Sequence, residues 1–459
     1  MNNQKQKQFI LTGKMWPVMW KLSWPAIIAM VLYGLNVLLD AIFVGTFVGE
    51  KALAGVSIVY PLSSFTMGIG SLIGVGAGSL LSIALGMNDE ATQKKLLGNL
   101  NSLTLVGTAI YMIPAFIFAE PLVKMMGGEG TPLAFGVSYF KITVISSLFW
   151  IYGLAANMVV RAEGKMKTAA VMMAGGLLIN TVFNYVFVVV MEYGVEGAAW
   201  ASNIGMLVYA VLGFLYFTSK KTSFPSFPRT IYWDRAIIKS IFSMGVPSLI
   251  MTVMTIVQAI VIFNAISSYG TIFELAFYGA AFRILNFLMT PIYGLMRALQ
   301  PVIGINYGAK QFHRVIKSFW IFTIAGVLII LPFWLLMMAV PKLVLSTMLE
   351  QGSLTSESIF NFRIFISVLP LLPVVFMAMT FFPAIDKGKP AAVIGLVRQL
   401  IFYVPVMLIL PAMFGTQWIY LGSTIIDTVI IAYTLTLLLL EFRRLREDKQ
   451  VPLMQGANA

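Results

Sequence analysis

Residues 24–45 read WPAIIAMVLYGLNVLLDAIFVG, an apolar stretch with a proline near its start and one carboxylate well inside it. Because about 20 mainly apolar residues suffice for a helix to span a bilayer, this stretch predicts a transmembrane helix. Asp40 then lies past the bilayer midplane but still inside the hydrocarbon. A carboxylate there costs roughly 2.5–3.5 kcal/mol on insertion scales, so Asp40 is a functional-site candidate by default.

Polar side chains share one face of this helix, because Tyr33, Asn36 and Asp40 follow one another at spacings of three and four residues. Such a stripe should point into a protein cavity rather than at lipid. Burial disfavours the charged form of a carboxyl group, so we expect Asp40 to load and unload a proton. The alternative is a structural ion pair, but the first half of the chain offers no clearly intramembrane Lys or Arg.

The composition excludes a soluble protein, since 59% of the 459 residues are hydrophobic and only 11% are charged. The absence of cysteine excludes disulfides and thiolate metal sites. The single histidine, His313, lies in a basic stretch and is better explained as a solvated loop residue than as a ligand. We therefore expect no metal and no cofactor.

Apolar segments long enough to span a bilayer occur twelve times, and we predict an all-α polytopic protein with twelve transmembrane helices. The segments are 24–46, 56–85, 99–119, 136–160, 169–190, 196–217, 241–267, 276–306, 316–339, 358–382, 391–413 and 417–441. The predicted organisation is an N-terminal segment (1–23), an N-lobe (24–217), a linker (218–240), a C-lobe (241–441) and a tail (442–459).

Loop charges set the predicted orientation, because cytoplasmic loops carry an excess of Lys and Arg. With a cytoplasmic N-terminus, most cations lie on the inside, and the outer loops hold only Lys51, Lys124 and Lys342. We expect a multi-pass cell-membrane protein with both termini in the cytoplasm. This distribution accounts for the net charge of +13 without a nucleic-acid partner.

The two halves of the chain repeat each other at a constant offset of 222 residues. Pro25 corresponds to Pro247, Asn36 to Gln258, and Gly86 to Gly308. An even number of helices per half gives the repeats the same orientation, and parallel repeats of this kind indicate a transporter with its site between or within the halves. Asp40 corresponds to Ile262, so the predicted proton site belongs to the N-lobe alone.

The quoted stretch through Gly45, the segment Ala52-Leu53-Ala54-Gly55 and the glycine-rich run from Gly68 to Gly86 resemble the opening signature of the MATE multidrug and toxin extruders. Residues 162–167 are similar to that family's basic loop between helices four and five, and Asn180 with residues 194–201 fits its pattern across helices five and six. Within the family, the chain is most similar to the DinF-like branch.

The resemblance implies two lobes that open alternately to each side and export amphipathic, often cationic compounds in exchange for protons or sodium ions. It places the N-lobe site at Asp40 and Asn180. Related members often carry aspartate where this chain has Asn184, and acids that some members carry in the C-lobe are absent, with Gln258 on helix seven. These departures count against a sodium site built from several carboxylates.

Other polar or soft residues are candidates for one substrate and ion cavity. The set comprises Asn157, Asn180, Asn184, Asn203, Gln258, Met173 and Met254, together with Tyr33 and Asn36. For the amides, the alternative is a purely structural role in joining helices. Interhelical hydrogen bonds in membranes contribute about 0.6 kcal/mol each, whether or not the residue takes part in transport. For Asp427 on helix twelve, an ion pair with Arg283, Arg297 or Arg398 is the preferred interpretation, and a second proton site is the alternative.

The sequence thus predicts a monomeric, proton-coupled exporter of amphipathic or cationic drugs in which Pro25 lets the first helix bend. The alternatives are a sodium-coupled antiporter and a flippase for lipids or lipid-linked sugars. A flippase should need a large cationic cavity, whereas the predicted stripe is amide and carboxylate. We expect no enzymatic activity, since no phosphate loop, zinc-protease or hydrolase motif is present.

Reporter fusions test the predicted topology. Fusions after residues 225 and 445 should report the cytoplasm and fusions near residues 50, 128 or 350 the outside, because the cationic loops stay inside. A reversed pattern at either terminus would contradict the parallel-repeat interpretation.

Overall fold

The structure is a computed structural model that describes residues 3–219, 221–346, 349 and 354–447. The reporter-fusion site near residue 350 and the part of the predicted tail beyond residue 447 lie outside these residues. The described residues form helices and no β-strand. The helices are α1 (Asn3–Thr12), α2 (Met15–Phe43), α3 (Glu50–Met87), α4 (Glu90–Ile117), α5 (Ala119–Met125), α6 (Gly130–Ile145), α7 (Ser147–Ala162), α8 (Met166–Asn184), α9 (Gly194–Thr218), α10 (Arg235–Tyr269), α11 (Ile272–Gly308), α12 (Phe312–Ala339), α13 (Pro341–Leu345), α14 (Ser356–Ile366), α15 (Leu372–Ala384), α16 (Gly388–Leu396), α17 (Val404–Phe414) and α18 (Gln417–Glu447).

The predicted twelve-span, all-α fold is confirmed. In the described part of the chain, 11 helical stretches are long and apolar enough to cross a membrane, and α6 with α7 forms a further span bent by 55°. The start of the first span differs from the prediction, because α2 begins at Met15 rather than at Trp24. Met15, Val18 and Leu22 are buried and extend the apolar face beyond the membrane-spanning stretch.

The 222-residue repeat is reproduced by the helix boundaries. α4 begins at Glu90 and α12 at Phe312, while α8 begins at Met166 and α16 at Gly388. Left-handed backbone conformations recur at the same offset, since Asn88 (φ 59°) corresponds to Lys310 (φ 56°). The duplicated sequence therefore folds into two lobes of matching topology.

The lobes pack tightly on the side of the bundle that carries segment 221–234, which we call the linker side. There α3 meets α10 so closely that a side chain on Gly76 would collide with the Ile241 carbonyl, and one on Gly245 with the Leu72 carbonyl. Gln300 of α11 also donates a hydrogen bond to Ser79 of α3 over 3.0 Å. The two lobes are thus closed against each other on the linker side.

A buried carboxylate attaches the linker to the N-lobe. Glu163, between α7 and α8, is only 2% exposed and accepts hydrogen bonds from the backbone N–H of Ser223 and from the Tyr216 hydroxyl. It also pairs with Lys165 at 3.2 Å. Burial raises the pKa of Glu163, so the charged form depends on these partners for its stability in this position.

Limited trypsin digestion tests this attachment. Glu163→Ala should accelerate cleavage after Lys221 and Arg229, which flank Ser223, by at least about tenfold, because hydrogen bonds to a charged group contribute about 1.5–3 kcal/mol and 1.4 kcal/mol is a factor of ten. Glu90→Ala, which removes an exposed carboxylate on the same side, is the control. Equal cleavage rates in the two variants would show that Glu163 does not hold the linker.

Candidate functional site

A cavity of about 720 Å³ lies in the half of the bundle opposite the linker side. Its wall is mostly apolar, with hydroxyl and aromatic side chains from α2, α3, α4, α6, α7 and α9, and the C-lobe contributes Arg283 and Asn286 of α11. The lining includes Tyr33, Asn36, Asp40, Val44, Ser57, Tyr60, Ser64, Met67, Tyr111, Tyr139, Trp150, Asn180 and Ser202. Among the described residues that line it, Asp40 is the only acid.

Asp40 is held by a chain of amides that crosses from α2 to α8. Asn184 donates from Nδ2 to Asp40 Oδ1 over 2.6 Å, and Asn36 donates from Nδ2 to Asn180 Oδ1 over the same distance. A longer bond of 3.4 Å, from Asn184 Nδ2 to Asn180 Oδ1, joins the two pairs. The carboxylate therefore receives a direct hydrogen bond inside an otherwise apolar bundle, and the amides that supply and support it are themselves buried.

Both helices that carry this network change their winding just beyond it. A π-helical turn, Val44–Val48, follows α2 and begins four residues after Asp40, and another, Tyr185–Val190, follows α8 directly after Asn184. Single π-helical turns within α-helices occur frequently at functional sites. Val44 and Val188 from these two turns pack in one apolar cluster, which seals the network on the side away from the linker.

The amide of Asn184 is suited to either protonation state of Asp40. Its Nδ2 donates to the carboxylate, whereas its Oδ1 is buried and receives no hydrogen bond from the described residues. An amide carries a donor and an acceptor group, so a rotated side chain could accept the proton of a neutral Asp40. The same free oxygen could also serve as a cation ligand.

Three residues predicted for the cavity lie elsewhere. Asn157 donates to the Ala169 carbonyl over 2.7 Å, and Asn203 bonds to Ser146 and to the Ile142 carbonyl at the bend between α6 and α7. These two amides satisfy helix backbone and side-chain groups where helices meet or bend. The third residue, Met173, packs within the N-lobe core, where its sulfur lies 3.8 Å from the Arg161 guanidinium. Arg161, in the last turn of α7, is buried with it.

The C-lobe candidates do not join the cavity either. Gln399 donates to Gln258 over 2.7 Å within the C-lobe, and Met254 is not among the lining residues. Asp427 pairs with Arg398 at 2.9 Å, and the Arg398 guanidinium lies 5.0 Å from the Tyr403 ring centre. Of the arginines considered as partners of Asp427, it is Arg398 that makes the pair, while Arg283 faces the cavity.

Sequence reasoning missed the wall that α3 contributes to the cavity. Ser57, Tyr60 and Ser64 face it, and their spacing of three and four residues is the signal that could have identified a polar face. Tyr139 and Arg283 carried no comparable signal, because their helices bring them to the cavity only through tertiary packing.

The fold and the cavity define a polytopic membrane protein made of two repeated lobes with a cavity between them. The MatE family model matches residues 25–186 and 247–409, which cover the first five predicted membrane spans of each lobe. The chain belongs to the MatE family, and the resemblance to the MATE transporters is confirmed.

Relatives match along nearly the whole chain. The multidrug export protein MepA of Staphylococcus saprophyticus is 23% identical over 432 residues, 93% of each chain. MepA of Staphylococcus aureus is 22% identical over 417 residues, 90% of each chain.

Solved structures share the fold. A crystal structure of MATE in the bent conformation aligns with a TM-score of 0.90 at 21% identity, covering 97% of this chain and 99% of that one. An outward-facing multidrug resistance MATE family transporter aligns with a TM-score of 0.87 at 21% identity, covering 95% and 98%.

Binding of a fluorescent cationic dye to the detergent-solubilised protein tests the role of Asn184. Asn184→Ala removes the direct donor to the Asp40 carboxylate, so the affinity for the dye should fall about tenfold. Asn157→Ala removes a buried amide that does not line the cavity and should leave affinity unchanged. Equal losses in both variants would mean that Asn184 acts only through stability.

Proposed function

We propose that this protein is a secondary active exporter of amphipathic and cationic drugs and that it exchanges them for protons at Asp40. The observation that carries the proposal is the position of Asp40, the only acid among the described cavity-lining residues, with an amide donor on its carboxylate. The names of the MepA relatives, multidrug export proteins, support the substrate class.

In this proposal the substrate and the proton compete for one carboxylate. Ionised Asp40 attracts a cationic drug, whose apolar body packs against the tyrosine-rich and valine-rich wall. Protonation from the outside removes this attraction and releases the drug. A one-for-one exchange of a monovalent cationic drug for a proton moves no net charge, so the pH gradient drives it, and one pH unit supports about a tenfold drug gradient.

Alternating access follows from movement of the two lobes. The contacts of α3 with α10 and α11 close the linker side, so a drug from that side can enter only after these contacts separate. Pro25 removes one backbone hydrogen bond in α2, which lets the helix bend between states. We further propose that the linker side is cytoplasmic and that both termini lie there. We also propose that the protein acts as a monomer in the cell membrane, that it has no enzymatic activity, and that it belongs to the DinF-like branch.

Sodium coupling is the second candidate, and a specific observation favours it. The free Oδ1 of Asn184 lies on the residue that bonds to Asp40, and Asn180 Oδ1 is close by. These oxygens could form part of a sodium shell. A proton needs only Asp40, and the cavity offers no second carboxylate among the described residues, so we favour the proton. A flippase is disfavoured because Arg283 is the only described cation in the wall.

Replacement of Asp40 tests its role as the coupling residue. Asp40→Asn keeps the shape but cannot titrate, so pH-driven drug export from proteoliposomes should collapse, while Asp40→Glu should retain part of it. Glu196→Gln, which neutralises an exposed acid at the start of α9, should export normally. Normal export by Asp40→Asn would assign the proton elsewhere, and Asp427 would be the next residue to replace.

Imposed gradients distinguish the two ions. Drug efflux from vesicles should respond to a pH gradient at constant sodium concentration and should be nearly indifferent to a sodium gradient at constant pH and voltage. Strong sodium-driven efflux that is lost in Asp40→Asn would show that this carboxylate binds sodium instead.

A further inference from the structure

A second large cavity, of about 1020 Å³, lies on the linker side at the outer surface of the N-lobe. It is bounded by α2, by the start of α8 and by the end of α9, and it is separate from the site around Asp40. Four lysines line it: Lys21, Lys165, Lys167 and Lys221. None of the described lining residues is acidic, although Glu163 behind the wall pairs with Lys165.

The lysines that face the cavity from opposite walls are placed by aromatic rings. The Lys21 ammonium lies 4.4 Å from the ring centre of Phe9, and the Lys167 ammonium lies 5.3 Å from that of Trp24. Both side chains are otherwise exposed and make no ion pair with a described carboxylate. Their charges are therefore available to an anion in the cavity, and the Thr168 hydroxyl lies in the same lining.

Beside the lysines, one part of the cavity wall is apolar and faces outward. Val171 of α8 is 70% exposed and Leu215 of α9 is 54% exposed; Leu212 completes this surface. An apolar surface directly beside a basic one matches a ligand with an anionic head and hydrocarbon chains. A small free anion would leave the apolar wall uncovered.

Tryptophans on α2 place the cavity at the boundary between the membrane and water. Trp16, Trp20 and Trp24 are spaced four residues apart and are 47%, 63% and 39% exposed. Exposed tryptophans concentrate at membrane interfaces, and basic pockets at this height between helices bind anionic lipid head groups. The exposed tryptophans and the lysines of the cavity therefore indicate the same depth in the bilayer.

We propose that this cavity binds an anionic phospholipid. Its phosphate would lie between Lys21 and Lys167, and its acyl chains would lie along Val171 and Leu215. The lipid would bridge α2, which carries Pro25, to α8 and α9, and it would contact Lys221 of the linker. This cavity is separate from the cavity around Asp40. A failure of the lipid proposal would therefore leave the proposed export function untouched, and the reverse also holds.

The test is a binding measurement on the full, detergent-solubilised chain, with retained lipid read by native mass spectrometry during titration with phosphatidylglycerol or phosphatidylcholine. Phosphatidylglycerol should bind selectively. The double replacement Lys21→Gln and Lys167→Gln should weaken its binding about thirty-fold, whereas Lys21→Arg with Lys167→Arg should retain it, which separates lost charge from misfolding.

A matched control removes the same charge elsewhere, by Lys239→Gln in α10 and Lys317→Gln in α12, both at exposed positions. This control should bind phosphatidylglycerol like the unaltered protein. An equal loss in the control, equal binding of phosphatidylcholine, or displacement of the lipid by inorganic phosphate at matched concentration would each overturn the proposal; the last would identify a site for free anions.

Discussion

The hydrogen bond from Asn184 to Asp40 is the interaction on which the N-lobe site depends. A carboxylate inside a membrane bundle is costly unless it is hydrogen-bonded, and this one receives a donor at 2.6 Å from a neighbouring helix. The donor is in turn linked to Asn180 and Asn36. Loss of Asn184 would leave the Asp40 carboxylate without this donor, so this hydrogen bond joins α2 to α8 at the carboxylate.

The duplicated fold uses the two lobes differently. In the C-lobe, Asp427 is neutralised by Arg398 at 2.9 Å, and Arg398 lies in a π-helical turn, Val397–Tyr403. In the N-lobe, Asp40 has an amide partner and faces a cavity. Asp427 thus has a partner of opposite charge, whereas the partner of Asp40 is an uncharged amide. One repeat thus carries an ion pair, and the other carries an acid that lines a cavity.

The fold was largely predictable from the sequence because hydrocarbon imposes simple rules. Spans must be long and apolar, and a constant offset between Pro25 and Pro247 revealed the duplication. The polar face of Tyr33, Asn36 and Asp40 followed from helical spacing, and all three line the cavity. The predicted start at Trp24 is later than the actual start of α2 at Met15, because polar residues precede Trp24 in the sequence. The apolar face that Met15, Val18 and Leu22 form in the same stretch is recognisable only from its packing against α12 and the core.

The site was less predictable than the fold, because an amide in a membrane helix can either line a functional cavity or form a structural hydrogen bond between helices. Asn157 and Asn203 are asparagines in apolar helices, just as Asn180 and Asn184 are. Yet Asn157 donates to the Ala169 carbonyl and Asn203 to the Ile142 carbonyl. The difference depends on which neighbour the backbone brings into reach. Contributions to the cavity from a second element, such as Arg283 of the C-lobe, require the packing of the two lobes and have no local sequence signature.

The central claim, that drug and proton compete for Asp40, is tested most directly by calorimetry of cationic drug binding in buffers of different ionisation enthalpy. If the claim holds, binding to the protonated protein releases a proton, so the observed heat changes with the buffer, and this dependence vanishes in Asp40→Asn. Heats that do not depend on the buffer in the unaltered protein, or that depend on it equally in Asp40→Asn, would contradict the account.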